Sequence, residues 1–179
     1  MCGERAVNIM DERDELEFQR LATLRETGML NDGETPELRI ICEEAKLRFD
    51  VPMVAVTLIA KDRQILKEEL GLGVKSTARA DAFCNITIRS DDLFIVPDAL
   101  LHPRFATNPL VVGPPFIRFY AGAPLVYLKN IRLGALCVLD VRPRVFSLGD
   151  RAELTEMADR VIDEFARREF AVLASGMTG

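Results

Sequence analysis

MVAVTLIAKDRQILKEEL, residues 53–70, is the stretch on which the reading of the fold turns. Met53 to Ala60 is apolar on both faces, as in a strand covered from both sides at the centre of a sheet. Lys61-Asp62-Arg63 makes a tight polar turn, and Gln64 to Leu70 returns as a more exposed, edge-like strand. Gly71-Leu72-Gly73 closes the unit. Two β-runs joined by so short a turn pair antiparallel.

Upstream of this hairpin the pattern changes to helical. Residues 10–30 read as a helix with a broken apolar stripe (Leu16, Leu21, Leu24, with Phe18 nearby) among many acids. A break follows at Asn31-Asp32-Gly33. Thr35 can cap the next helix, Pro36 fits its first position, and Glu37 suits the positive end of the dipole. Leu38, Ile41, Cys42, Ala45 and Phe49 recur at the spacing of a helix laid on a sheet, which ends near Asp50-Val51-Pro52.

Downstream, Ala82 to Ile88 suits a short helix and Leu93 to Val96 a short buried strand. Asp98 to Pro115 is a long loop punctuated by four prolines, of the kind that covers a pocket. Phe119 to Tyr127 and Arg132 to Leu139 form a second strand pair around Lys129-Asn130. Ser147 and Asp150 have capping-box spacing, with the shorter Asp replacing Glu. The helix they open carries Leu154, Met157, Ala158, Val161, Ile162 and Phe165 on one face. The order predicts an α+β domain, an antiparallel sheet with helices packed on it.

Composition narrows the class. The 179 residues suit one domain, with 49% apolar and 28% charged residues, so disordered and fibrous architectures are excluded. Net charge is −5 and concentrated early: residues 1–50 hold 13 acidic and 7 basic side chains, the rest 15 and 16. Without a basic stripe, nucleic-acid binding is not expected. No apolar run reaches the length of a membrane span, and the N-terminus lacks a signal-peptide core, so a cytoplasmic protein is expected. Cys2, Cys42, Cys84 and Cys137 are far apart, with no C-x-x-C and no Cys/His cluster. No metal site is expected, and free thiols are the default.

Catalytic constellations are hard to assemble from this chain. Its one histidine, His102, precedes Pro103 in the long loop, where a surface role is expected. There is no Walker A sequence and no G-x-G-x-x-G. Asp91-Asp92 reads as a solvated turn and Glu43-Glu44 as a polar helix face. No reaction is indicated, and no catalytic residue is assigned.

Several segments together resemble a GAF domain, the small-molecule-sensing and dimerising module of bacterial signalling proteins and phosphodiesterases. They are Val51 to Ile59 running into Lys61-Asp62-Arg63-Gln64, Gly71-Leu72, Phe83-Cys84, Val96-Pro97-Asp98-Ala99, the loop from His102 to Pro109, Ile117 to Leu125, and Leu133 to Asp140. The pattern is most similar to GAF domains found ahead of histidine kinases and diguanylate cyclases. The resemblance implies a GAF-like α+β fold, with a five- or six-stranded antiparallel sheet, helices on one face and a loop-covered pocket on the other. It assigns residues 13–170 to the domain, 1–12 to an N-terminal extension and 171–179 to a C-terminal tail. The chain is then either a stand-alone module or a piece of a longer one. Relatives with this pattern commonly read Phe-Cys-Ala-His where this chain has Phe83-Cys84-Asn85-Ile86, so an imidazole-based ligand contact is not expected here.

Pocket candidates follow from that frame: Phe83, Cys84 and Ile86 after the hairpin; Phe105, Asn108 and Phe116 in the loop; Arg118 and Tyr120 on the following strand. Each has a plainer reading. Cys84 and Cys137 suit small buried hydrophobes, Arg118 suits an ion pair with Asp98 or Asp140, and the loop phenylalanines suit a plug. Asp140 suits a turn residue.

The expected function is a non-catalytic sensory or regulatory domain binding a small molecule of unassigned identity, with no cofactor named. A ligand-free dimerisation module is the alternative. A GAF-fold methionine sulfoxide reductase is disfavoured because the body's thiols lie 53 positions apart. A bilin photosensor is disfavoured by the absence of Trp and the scarcity of Tyr. Self-association as a homodimer through the terminal helices is expected. Leu16, Phe18 and Leu21 cover a wide arc on the first helix, and Phe170, Val172 and Leu173 would extend past the domain body.

Overall fold

A computed structural model describes residues 11–31, 33 and 35–177. The extension assigned to residues 1–12 therefore lies almost wholly outside the described residues, as does Cys2. The elements run α1 (Glu12–Glu26), α2 (Pro36–Phe49), β1 (Met53–Ile59), β2 (Arg63–Leu70), β3 (Ser76–Ala78), α3 (Cys84–Thr87), β4 (Phe94–Val96), α4 (Pro109–Val112), β5 (Phe119–Leu128), β6 (Ile131–Asp140) and α5 (Leu148–Gly176). The strands form one antiparallel sheet in the order β3-β2-β1-β6-β5-β4.

The strand read as central is central: all seven residues of β1 are buried, between β2 and β6. The expected edge strand is not the edge. Residues 76–78 pair with Arg63, Gln64 and Ile65 and cover the first half of β2, which also buries Gln64 and Leu66. Three residues are too few to carry a strand signal in the sequence.

Alternation divides the core into two layers. Val54, Val56 and Leu58 of β1 and Leu136 and Val138 of β6 point to the helix side, where they meet Leu38, Ile41 and Ala45 of α2 and Leu154, Ala158 and Val161 of α5. Met53 and Ala55 of β1 and Ala135, Cys137 and Leu139 of β6 point to the opposite side, under α3, α4 and the 98–118 segment. The fold expected from the residue pattern is thus the fold observed.

Local chemistry explains the helix ends. Ser147 and Asp150 close a full capping box at the start of α5, each side chain accepting from the other's backbone N–H at 3.0 and 2.9 Å. Thr35 stands at the N-cap of α2 with Pro36 behind it, but its side chain makes no cap bond. α1 is shorter than the 10–30 reading, and it buries Arg20 and Leu24 while leaving Leu16 and Phe18 exposed. α5 runs unbroken through the stretch assigned to the tail, as far as Gly176. No helix among the described residues is long and apolar enough to cross a membrane.

Candidate functional site

The face of the sheet opposite the helices carries a cavity of about 220 Å³. Its floor is Ala55 and Thr57 of β1, Cys137 and Leu139 of β6, and Tyr120 of β5. Gln64 and Leu66 of β2 form one wall with Leu72, Val74 and Thr77; Phe83 and Cys84 form another. Leu110, Pro114, Pro115 and Ile117 roof it from the long loop. Among the described residues, no Lys, Arg, His, Asp or Glu lines it.

Small residues on the strands make the room. Ala55 and Ala135 sit beside Cys137 where larger side chains would fill the space. The chain turns back over the sheet through Pro114-Pro115, and Phe116 follows in the left-handed region at φ +59. An aromatic residue adopts that conformation rarely, and here it turns the half-exposed Phe116 ring away from the cavity while Ile117 enters it.

The polar groups inside are few and mostly partnered. Thr57 donates to the Ala135 carbonyl at 3.3 Å, and Gln64 Nε2 donates to Thr77 Oγ1 at 3.0 Å. Gln64 Oε1 has no partner among the described residues, although Gln64 is only 7% exposed. A buried amide oxygen left bare costs about 1–3 kcal/mol, so this atom marks a place where an incoming donor would be favoured.

A chain of hydrogen bonds runs along the floor. Thr87 and Tyr120 share a hydroxyl contact at 2.7 Å, the Tyr120 hydroxyl donates to Cys84 Sγ at 3.2 Å, Cys84 Sγ contacts Cys137 Sγ at 3.8 Å, and Cys137 points to the Ala55 carbonyl at 3.6 Å. Burial opposes ionisation of Cys84, but its contacts with Cys137, Thr57 and Tyr120 together outweigh it and hold the thiol below the ordinary cysteine range. The Cys84 contact, then burial, pushes Cys137 well above that range. Burial, then the Cys84 charge, raises Tyr120, which stays a protonated donor. On the other face of the sheet, burial pushes Cys42 up to about 12.

Of the eight residues singled out from the sequence, Phe83, Cys84 and Tyr120 line the cavity. Phe105 stacks behind Phe83 at 4.0 Å between ring centroids. Ile86 packs against the same cluster from outside. Asn108 caps α4 through Leu110 N and ties the loop to the Asp81 carbonyl, at 2.8 and 2.9 Å. Arg118 donates to the Val111 and Ile117 carbonyls and makes no pair with Asp98 or Asp140. The Asp140 carboxylate is occupied by Arg144 at 2.5 Å and by the backbone of Val141 and Arg142, as suits a turn residue. His102 lies in the loop, its Nδ1 accepting from Arg104 N.

Two features escaped the sequence reading. Gln64 falls on a strand that looks solvent-facing, and only the pairing of β3 encloses it. The cysteine separation of 53 positions, which spoke against a thiol pair, does not survive folding: α3 returns the chain to β6. Among the described residues, no group of three metal-ligating side chains gathers.

Set against known proteins, the GAF domain family matches residues 35–163. A cyclic di-GMP phosphodiesterase of Pseudomonas aeruginosa is 37% identical over 151 residues, covering 84% of this chain and 24% of that protein. The chain therefore spans about a quarter of the length of that relative. The GAF domain of a phosphoenolpyruvate-protein phosphotransferase from Coxiella burnetii superposes with a TM-score of 0.65 at 13% identity, over 89% of this chain and 98% of that one. Free methionine-R-sulfoxide reductase from Neisseria meningitidis superposes with a TM-score of 0.64 at 18% identity, over 89% and 90% of the two chains. At such identities the likeness is one of fold.

Proposed function

Because this chain belongs to the GAF domain family, we propose that it is a non-catalytic sensory module of bacterial signal transduction, working in the cytoplasm, with a small molecule as its input. The observation that carries this reading is the loop-covered cavity with the bare Gln64 Oε1 on its wall. The lining favours one class of ligand. It offers apolar surface, hydroxyl and thiol groups and one free acceptor, but no cation for a phosphate or carboxylate and no anion for an ammonium. Its volume lies below the roughly 300–1,000 Å³ of drug-sized sites. The fitting ligand is a small uncharged molecule, mainly apolar, with one hydroxyl or amide N–H to reach Gln64. A cyclic nucleotide would bring an unpaired phosphate into this site.

Output through the terminal helices is supported by a line of contacts. Asn85, next to Cys84 on α3, accepts from Arg79 Nε at 2.9 Å. Arg79 also pairs at 2.5 Å with Glu17 of α1, and Glu17 holds Arg20, which donates to the Ile59 carbonyl at the end of β1. Movement of α3 about a ligand would thus be felt by α1. The likeness to a segment of the Pseudomonas aeruginosa phosphodiesterase supports cyclic di-GMP signalling as a setting for that output.

The test is a thermal-shift panel of short-chain alcohols, amides and lactones beside cyclic nucleotides. Uncharged compounds are expected to raise the melting temperature and cyclic nucleotides to leave it unchanged. Gln64→Leu keeps the volume and removes the bare acceptor, so it should abolish the ligand shift; relief of the bare oxygen offsets the lost Thr77 bond, and the melting temperature of the free protein should change little. A shift from cyclic nucleotides alone, or turnover of any compound, would overturn the reading.

A further inference from the structure

The thiol pair on the cavity floor is used by nothing so far described, and its arrangement is not that of two inert core cysteines. The sulfurs are 3.8 Å apart with no side chain between them. Both line the cavity, so a small reagent inside it touches them, although neither reaches bulk solvent. The two are also unlike. Cys84 receives the Tyr120 hydroxyl as a donor at 3.2 Å, which stabilises negative charge on that sulfur; Cys137 has the Ala55 carbonyl at 3.6 Å, an acceptor that holds its proton in place. Cys42 is buried among apolar side chains on the helix face, away from this cavity.

We infer that Cys84 and Cys137 are a redox-active dithiol, oxidised to a disulfide by a small organic hydroperoxide that enters the cavity. The inference does not depend on the cavity also holding a regulatory ligand. An uncharged oxidant with an apolar body matches the walls; a charged one would have to shed its hydration there. Cys84 Sγ attacks the outer oxygen of R–O–O–H, the O–O bond breaks, and the thiol proton leaves with the inner oxygen as an alcohol, ROH. Cys84 is then a sulfenic acid. Cys137 Sγ attacks Cys84 Sγ, the S–O bond breaks, and the hydroxyl leaves with the Cys137 proton as water. The two thiols lose two electrons, and the hydroperoxide gains them. Closing the bond brings the sulfurs roughly 1.8 Å nearer than they stand. That draws α3 toward β6 and loads the Asn85–Arg79–Glu17 line described above.

The full chain, reduced and then freed of reductant, is treated with tert-butyl hydroperoxide and digested without reduction for peptide mass spectrometry. The expected result is loss of both thiols into one Cys84–Cys137 cross-linked peptide, reversed by dithiothreitol, with Cys42 still alkylatable after denaturation. In Cys137→Ser, Cys84 should be trapped by dimedone as the sulfenic acid; in Cys84→Ser, Cys137 should stay reduced. Wild-type protein that keeps both thiols under this treatment would overturn the inference, and so would oxidation of Cys42 at the same rate. Because the deciding measurement is made on wild-type protein, a variant that folds poorly does not obscure it.

Discussion

Tyr120 lies flat along the sheet only because Gly122, two residues on and on the same face, has no side chain. A Cβ there would stand 2.1 Å from the Tyr120 hydroxyl and 2.9 Å from Thr87 Oγ1, distances no neighbour tolerates. Gly122→Ala must therefore displace the ring from Cys84. The expected cost is on the order of 1–3 kcal/mol, as for other overpacked cores, read as a lower melting temperature. The Cys84 thiol should lose its donor and react more slowly with small thiol reagents. At this scale the sequence was half legible. Phe83, Cys84 and Tyr120 stood out because aromatic and thiol groups are distinctive. Gln64, Gly122 and Cys137 matter through what lies opposite them, and a strand's neighbours are not written in its own residues.

At the scale of elements, α1 shows how an irregular pattern can still encode an attachment. Its apolar stripe is interrupted by Arg20, which is nonetheless buried, donating to the Ile59 carbonyl at 2.7 Å while Glu17 closes on it from one turn earlier. Burial alone would raise the Glu17 carboxyl, but hydrogen bonds from Arg20 and Arg79, then their charges, outweigh it and hold it at about 2. The folded value lies below the unfolded one. The stability this gives is fully present above the ordinary carboxylate range and is lost as pH falls from about 4.5 toward 2. Glu17→Gln should thus be destabilised near neutral pH and show a shallower acid loss than wild type, measured as melting temperature across that window. The starts of α5 and α2 were legible from Ser147, Asp150 and Pro36 because helix initiation is local chemistry. The reach of α1 was not, since it depends on partners in β1 and near residue 79.

Among the described residues, the terminal helices carry apolar side chains that the fold does not cover. Beyond Glu169, which Tyr127 of β5 still holds, α5 continues into solvent with Phe170 75% and Leu173 63% exposed, and α1 presents Leu16 and Phe18. A second copy laid along these helices would cover them, at about 25 cal/mol for each Å² of apolar surface removed from water. Light scattering at micromolar concentration should report twice the chain mass, and Phe170→Asp with Leu173→Asp should return the monomer with an unchanged melting transition of the body. A wild-type monomer would remove this assembly. The order of the longer elements was legible in the sequence, and the division into a helix face and a pocket face came with the family resemblance. Alternation in 53–70 and 119–140 states which side chains share a face.

The short outer strands carry a consequence for how the protein behaves when crowded. β3 and β4 are three residues each and cap only residues 63–65 of β2 and 120–122 of β5, so each flank of the sheet ends in a very short outer strand, one of the ways natural sheets blunt an edge. Growth by strand addition is blunted on both sides, and with it the route by which antiparallel sheets run on into fibrils. Concentrated solutions should then self-limit at small helical assemblies and stay clear of ordered aggregate, a solubility safeguard set by two trios of residues at the margins of the fold.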